Sequence, residues 1–440
     1  MDAPWLRRPR CRRVVMGAWL LLASASAVAD VGAAPASTRS EKTVLTLDQA
    51  IDRVVAVHPD LAIFHYTETG LRAAADTAAQ RPALTVGATL ENAFGTGAAS
   101  GVHGAEFTLT LASVLERGGK RAARQALANS RIDALALTRE AKRLDLLAEV
   151  ARRYLDVVAA QTQVAIGDAD VAQRARTVTA AAQRLKAGAS PESARLTAEA
   201  LQARAELERD RARANVAAAR RRLVLLWGER EDSLIDVTGD PRALPALPAF
   251  AVIATQLERT PELQRFADET RIREARLQLA RSARTPDLEW QVGVRRLQDG
   301  ADWGLVGSVS MPLGSARRAE PDIRAATAER EALALERESS ELTLYATLAQ
   351  AYGQFAASKA EVERSRDDLL PRLQRAEVAA ERAYRAGALS YLEWAQVQSE
   401  TTAARQQQLS AAIDAQRALI EIQRLTGEPL TADPDLEATP

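Results

Sequence analysis

One cysteine (Cys11) and three histidines in 440 residues leave no material for a disulfide framework, a Cys/His zinc site or a thiol–imidazole catalytic pair. Aromatic residues are scarce as well. At 4% of the chain they leave its 47% apolar content to aliphatic side chains and, above all, to alanine. Alanine mixed with Arg, Glu, Leu and Gln is a long-helix composition, because Ala loses no side-chain entropy in a helix and lets neighbouring backbones approach. Net charge is missing too: 58 Lys+Arg against 58 Asp+Glu exclude a bulk attraction to nucleic acid. No nucleophile elbow or zinc helix is present. Gly118-Gly119-Lys120 lacks both the upstream glycine and the following Ser/Thr of a phosphate loop. The expectation is a protein that is not an enzyme and takes no cofactor and no resident metal.

The first 29 residues carry a separate message. Arg7, Arg8, Arg10, Arg12 and Arg13 precede an apolar run from Val14 to Ala29 that ends in Ala27-Val28-Ala29. A basic segment, a short apolar segment and a small-x-small site read as a secretory signal peptide spanning 1–29, and the run is short of the ~20 residues of a membrane anchor. Cleavage after Ala29 leaves 53 basic and 57 acidic residues, no cysteine and one methionine, Met311. No later stretch is apolar enough for a transmembrane helix.

The remainder is written twice. His58-Pro59-Asp60-Leu61 pairs with Thr260-Pro261-Glu262-Leu263 at an offset of 202, and Pro82 pairs with Pro286 at 204. Leu144, Leu147, Ala151 and Tyr154 match Leu342, Tyr345, Ala349 and Tyr352 at 198; Lys186-Ala187-Gly188 matches Arg385-Ala386-Gly387 at 199. Ordered markers at a nearly fixed spacing mean a tandem duplication. The first repeat is 30–240, with a helix over about 48–80, a β-hairpin over 83–112, a long helix over 120–186 and a helix over 190–227. A Pro-rich linker, 241–250, leads to the second repeat, 251–430: a helix, a hairpin over 287–312, a long helix over 319–385 and a helix over 389–426. Residues 431–440 form a tail. A 3-4 spacing of small and apolar residues along the long helices predicts coiled-coil seams, and a helix over 120–186 measures about 100 Å, the length of a rod.

Between helices the period changes to two. Leu84, Val86, Phe107 and Leu109 in the first repeat, and Trp290, Val292, Trp303 and Leu305 in the second, alternate with polar residues or glycine over segments of membrane-strand length. An ordinary half-buried sheet alternates in the same way. If the strands cross a bilayer, four per chain cannot close a barrel, so several chains must pool them.

These residues together resemble the TolC-type outer-membrane efflux proteins over about Leu45 to Leu430. The likeness is carried by Leu45-Thr46-Leu47-Asp48-Gln49-Ala50, by Tyr154-Leu155-Asp156-Val157-Val158 and by the Ala-Gly turns at 187–188 and 386–387. Glu116-Arg117-Gly118-Gly119-Lys120-Arg121 is most similar to the heavy-metal efflux branch. The resemblance implies a mainly α fold with a small β part, in which duplicated long coiled-coil hairpins carry four membrane strands per chain. A homotrimer would then form a 12-stranded β-barrel in the outer-membrane lipid of a Gram-negative bacterium, continued by an α-barrel through the periplasm. It implies partnership with a periplasmic membrane-fusion adaptor and an inner-membrane efflux pump, and passive conduction of metal cations or drugs. Gly188 and Gly387 would lie at the periplasmic tip, where the adaptor docks. Tyr384 matches a tyrosine that helps hold the entrance closed, and Glu393 an acidic position ringing the constriction; Leu389 stands where some members carry a bonding arginine. The bland readings are a packed tyrosine, a solvated helix-face glutamate and, for His58 and His65, surface or packing roles rather than a metal site. The alternative function is a soluble periplasmic coiled-coil scaffold or adaptor whose strands form a small ordinary sheet.

Overall fold

The computed structural model describes residues 44–230 and 235–427. The expected signal peptide and the tail 431–440 lie outside the described residues. The chain enters with a two-residue strand, β1 (Val44–Leu45), and helix α1 (Leu47–Val57). Thr46 caps α1 through a capping box with Gln49. The single helix expected over about 48–80 is two helices, because Pro59 pushes the preceding residue out of the helical region: His58 has ψ 128° and ends α1, and Pro59 opens α2 (Pro59–Ala79). Strands β2 (Thr85–Glu91) and β3 (Glu106–Leu115) follow, then α3 (Lys120–Asp133), α4 (Leu135–Lys186) and α5 (Glu192–Val224). The rod expected over 120–186 is therefore interrupted once, at Ala134.

The first repeat closes with β4 (Asp236–Val237); beyond the Pro-rich linker a short helix, α6 (Phe250–Ala254), leads to α7 (Pro261–Ser282). Pro261 starts α7 as Pro59 starts α2, behind an extended Thr260. Strands β5 (Leu288–Leu297) and β6 (Trp303–Ser310) lead to α8 (Ser315–Arg364), which starts four residues earlier than the 319 expected. A wide π-turn over Ser365–Leu369 separates it from α9 (Leu370–Ala386), and α10 (Tyr391–Thr426) completes the repeat. Pro371 accounts for that turn: it has no N–H to return to the carbonyl four residues back, so the helical ladder must widen around it.

All four long strands join in one antiparallel sheet of order β2-β3-β5-β6, so the two hairpins meet along β3 and β5. A second pairing has no counterpart in the periodicity reading: β1 and β4 lie parallel, with Leu45 opposite Val237. Tyr154 of α4 fastens this pair. Its buried hydroxyl reaches the carbonyl oxygens of Leu45 at 2.8 Å and Thr238 at 2.7 Å, and accepts from the Thr238 amide at 3.1 Å.

The helices have no single core. One apolar cluster joins Leu45, Val54, Leu146, Val150, Tyr154, Val157 and Leu223 in the first repeat, and another joins Ile253, Phe266, Leu348, Phe355, Leu419 and Leu425 in the second. On α8 the buried stripe is Leu348, Ala351, Phe355 and Val362, whereas Leu342 and Tyr345 of the expected seam are exposed. The linker is also more than a tether. Lys359 donates to the Pro245 carbonyl at 2.9 Å, and Gln416 donates to those of Pro241 and Ala243 at 3.2 and 2.9 Å.

Candidate membrane sheet and helical tip

Most of the sheet is exposed on both faces, and the strand register gathers its large apolar residues mainly on one of them. Val86 opposes Leu111, Leu111 opposes Val292, Leu109 opposes Val294, Val294 opposes Leu305, and Trp290 opposes Val309. Successive side chains on a strand point to opposite sides, so these form one apolar face. Exposure on it runs from 36% at Leu111 to 89% at Leu305, with Val86, Phe107, Leu109, Val292 and Trp303 between and Trp290 half-buried. Leu84 is exposed just ahead of the first strand residue, Thr85, on the same side by alternation. At the loop end the Arg296 guanidinium lies 5.7 Å over the Trp303 ring, an amphipathic pairing suited to a water–hydrocarbon boundary. The opposite face is mainly polar, with Val114, Leu297 and Val306 among its polar residues. Its hub is Arg295, which donates to Glu106 at 2.7 Å, to Glu91 at 3.2 Å and to the Thr108 hydroxyl at 3.0 Å. A sheet with one bare apolar face and one self-paired polar face is the form a lipid-facing, water-lined wall takes.

The Glu116–Arg121 string lies where the sheet meets the helices. Lys120 pairs with Asp287 at 2.7 Å, Asp287 also accepts from the Arg117 amide at 3.1 Å, and Arg124 is bound to Glu116. The string thus ties β3 and α3 of the first repeat to the α7–β5 junction of the second.

At the far end of the rods the two expected turns lie side by side. Gly188 (φ +68°) and Gly387 (φ +84°) each occupy the left-handed conformation that closes a helix. The Ala189 amide returns to the Arg184 carbonyl and the Ala388 amide to the Ala383 carbonyl, both at 2.9 Å. Glu393 is exposed at the third position of α10, in a capping box with Ser390: it accepts from the Ser390 amide at 2.9 Å and its hydroxyl at 2.7 Å. These hydrogen bonds hold its carboxyl below the ordinary glutamate range.

Tyr384 is buried, at 1% exposure, against Trp394 (ring centroids 5.1 Å apart) and Tyr391, with Leu389 packed on the cluster. Sequence reasoning missed its main polar neighbour. Arg184, on the first repeat, lays its guanidinium 4.9 Å over the Tyr384 ring and donates to the Tyr384 carbonyl at 2.5 Å and to the Ala189 carbonyl at 3.0 Å. The only signal available was a basic residue in the last turn of a helix, which surface capping explains equally well.

A buried polar layer lies further up the rods. Arg174 of α4, 6% exposed, reaches Asp170 on its own helix at 3.4 Å and Ser399 of α10 at 3.0 Å. Gln398 donates to Thr177 at 2.8 Å, Thr402 to Asp170 at 3.0 Å, and Gln173 binds Glu377 of α9. Burial raises the Glu377 carboxyl above its ordinary value, against the pull of Arg405 and Arg176. Of the histidine pair, His58 is occupied as a cap, its Nδ1 accepting from the Asp60 amide at 3.2 Å. Among the described residues no group of three His, Cys, Asp or Glu is placed to hold a metal, and no helix is long and apolar enough to cross a membrane.

The comparisons with known proteins follow the same outline. The family model described as "Outer membrane efflux protein" matches residues 51–229 and 252–428, one match for each repeat. The cobalt-zinc-cadmium resistance protein CzcC of Cupriavidus metallidurans is 30% identical over 315 residues, covering 71% of this chain and 75% of that protein. Among solved structures, CusC, described in terms of transmembrane channel formation, superposes with a TM-score of 0.74 at 17% identity, over 91% of this chain and 96% of its own. VceC, an outer membrane protein of Vibrio cholerae, superposes with a TM-score of 0.69 at 16% identity, over 88% and 97%. With both repeats matched over most of their length, the chain belongs to the outer membrane efflux protein family.

Proposed function

We propose that three copies of this chain pool their four-stranded sheets into one 12-stranded barrel in the outer membrane, and that the helices continue it as a duct through the periplasm. The single observation that carries this reading is the sheet with one bare apolar face backed by a self-paired polar face, on helical rods of which α3 and α4 together span about 100 Å. Its outer strands, β2 and β6, pair on one side only among the described residues, and an open edge is too costly to leave in hydrocarbon. Pairing β2 of one copy with β6 of the next removes every edge.

The cargo we infer is divalent metal cations, supported by the likeness to a cobalt-zinc-cadmium resistance protein. An inner-membrane pump would supply the energy and a periplasmic adaptor would meet the turns at Gly188 and Gly387. In this reading Tyr384 and its cluster keep the tip narrow. Glu393, whose carboxyl is held ionised by Ser390, contributes a threefold ring of negative charge that favours cations.

Membrane fractionation followed by mass determination of the detergent-solubilised protein tests the proposal. A trimer recovered from the outer membrane supports it. A monomer or dimer free in the periplasmic extract would support the coiled-coil scaffold instead. Deleting the gene should then sensitise cells to cobalt, zinc or cadmium; unchanged sensitivity to all three would remove the metal assignment and leave the duct.

A further inference from the structure

We propose that adjoining copies of this chain meet with β6 of one displaced by four residues along β2 of the next, a register that seats Phe94 of the first hairpin loop against Trp303 of the neighbouring copy. The inference rests on the duct reading and adds the joint between copies that the reading leaves open.

Closure geometry limits the register. The strands of a barrel must tilt, and the tilt accumulates as a stagger of the hydrogen-bond register around the circumference. Within the chain there is none: Ala88, Leu109, Val294 and Leu305 lie directly opposite one another from β2 to β6. The whole stagger therefore falls at the three seams between copies, equally by symmetry. An odd displacement would carry the apolar face of one copy onto the polar face of the next, so each seam takes an even number of residues. Four per seam is one residue per strand, the ratio of an eight-stranded barrel of shear eight, whose strands tilt about 36°. That tilt lies inside the range of membrane barrels, about 35–45°. Two per seam would tilt the strands about 19° and six about 46°, from the rise per residue and the strand spacing. Overlap selects the direction. One sense pairs 306–310 with 87–91 of the next copy; the other brings only 303–304 onto 85–86 and sets the second hairpin loop beside β2.

The side chains of both edges fit this register. Val309 falls opposite Ala88, Gly307 opposite Leu90 and, one residue beyond β6, Met311 opposite Val86, so each bulkier residue meets a smaller one across the seam. Val309, Leu90, Met311 and Val86 are all exposed in the single chain. The first hairpin loop points to the same seam. Phe94 is 77% exposed and left-handed, with φ +59°, and its amide is tied to the Gly101 carbonyl at 2.7 Å. A bulky aromatic held there in water is both strained and unburied. Continuing the register past Glu91 brings Phe94 to the level of Trp303, itself 68% exposed. Contact between the two rings removes both from water at the outer rim.

The test uses the full chain in a Cys11→Ser background. Ala88→Cys/Val309→Cys is oxidised in outer-membrane preparations with copper phenanthroline and read on non-reducing gels. Within one chain the two positions are three strands apart, about 14 Å, so any disulfide joins two copies. Linked dimers and trimers are expected. Leu90→Cys/Val309→Cys and Ala88→Cys/Leu305→Cys report displacements of six and of zero. Both should stay unlinked, because they lie about 7 Å or more out of line. Linkage of either control pair in place of the first would overturn the register, as would a trimer in which no pair links. Protein recovered only as a monomer would overturn the duct reading, and the seam with it. Phe94→Ala and Trp303→Ala should each speed dissociation of the detergent-solubilised trimer by about 2- to 12-fold, the worth of one aromatic pair. The double variant should fall short of the product of the two. Effects that multiply would overturn the seat of Phe94 and assign its ring to lipid.

Discussion

The junction between sheet and helices supplies its own control for a quantitative prediction. Gly118 and Gly119 both have positive φ, +72° and +73°. A Cβ added at Gly118 would lie 2.5 Å from Thr285 Cβ and 2.9 Å from the Ser282 carbonyl oxygen, whereas one added at Gly119 would meet nothing within 4 Å. Left-handed backbone costs an alanine about 1–2 kcal/mol at either position. At Gly118 the collision with the start of the second hairpin adds about 1–3 kcal/mol, because neither Thr285 Cβ nor a backbone carbonyl can swing aside. Gly118→Ala should therefore destabilise the α7–β5 junction by about 2–5 kcal/mol and Gly119→Ala by about 1–2. Amide hydrogen exchange over 282–290 resolves this locally. The added collision should speed exchange in Gly118→Ala by about 5- to 150-fold beyond Gly119→Ala. Equal effects of the two substitutions would refute the close approach, and with it the reading of the Glu116–Arg121 string as the weld between repeats.

Three further outcomes are expected. Tyr154→Phe removes the hydroxyl that fastens β1 to β4; losing its part-buried bonds to the Thr238 amide and to a carbonyl should cost about 0.5–1.5 kcal/mol, seen as faster exchange of the Thr238 amide with the sheet unaffected. Glu377 has a raised carboxyl pKa, so the folded tip binds its proton more readily than the unfolded chain does. Its contribution is most favourable in acid and is lost as pH rises from the ordinary value of 4.5 through the raised one. Glu377→Gln keeps an acceptor for Gln173, so it should raise the thermal midpoint at neutral pH and flatten its dependence across that window; an unchanged profile would contradict the assigned burial. Glu393→Gln retains the capping box, as Gln49 does beside Thr46, but removes the charge of the proposed ring. Cation-over-anion selectivity, read from reversal potentials in a salt gradient, should fall while thermal stability holds, and unchanged selectivity would remove Glu393 from the pore.

What the sequence determined by itself is what depends on local spacing. The period-two hairpins, the glycine-closed turns at 188 and 387 and the alanine-rich rods follow from residues within a few positions of one another, and the duplication from the recurrence of such local strings about 200 positions on, so they were legible. Two of the helix breaks that the spacing did not show have local causes as well, at Pro59 and Pro371. The tertiary structure decided what depends on distant partners. The pairing of β3 with β5 joins strands more than 170 positions apart. The two-residue strands at Leu45 and Val237 are too short to carry any period and exist only because Tyr154 and the cluster around it hold them. The burial of Tyr384, the carbonyls under Arg184 and the polar layer around Arg174 likewise arise where one repeat lies against the other. A helical period says which residues share a face; which neighbour covers that face is fixed only when the rods pack, since small residues and long charged side chains fit several partners equally well.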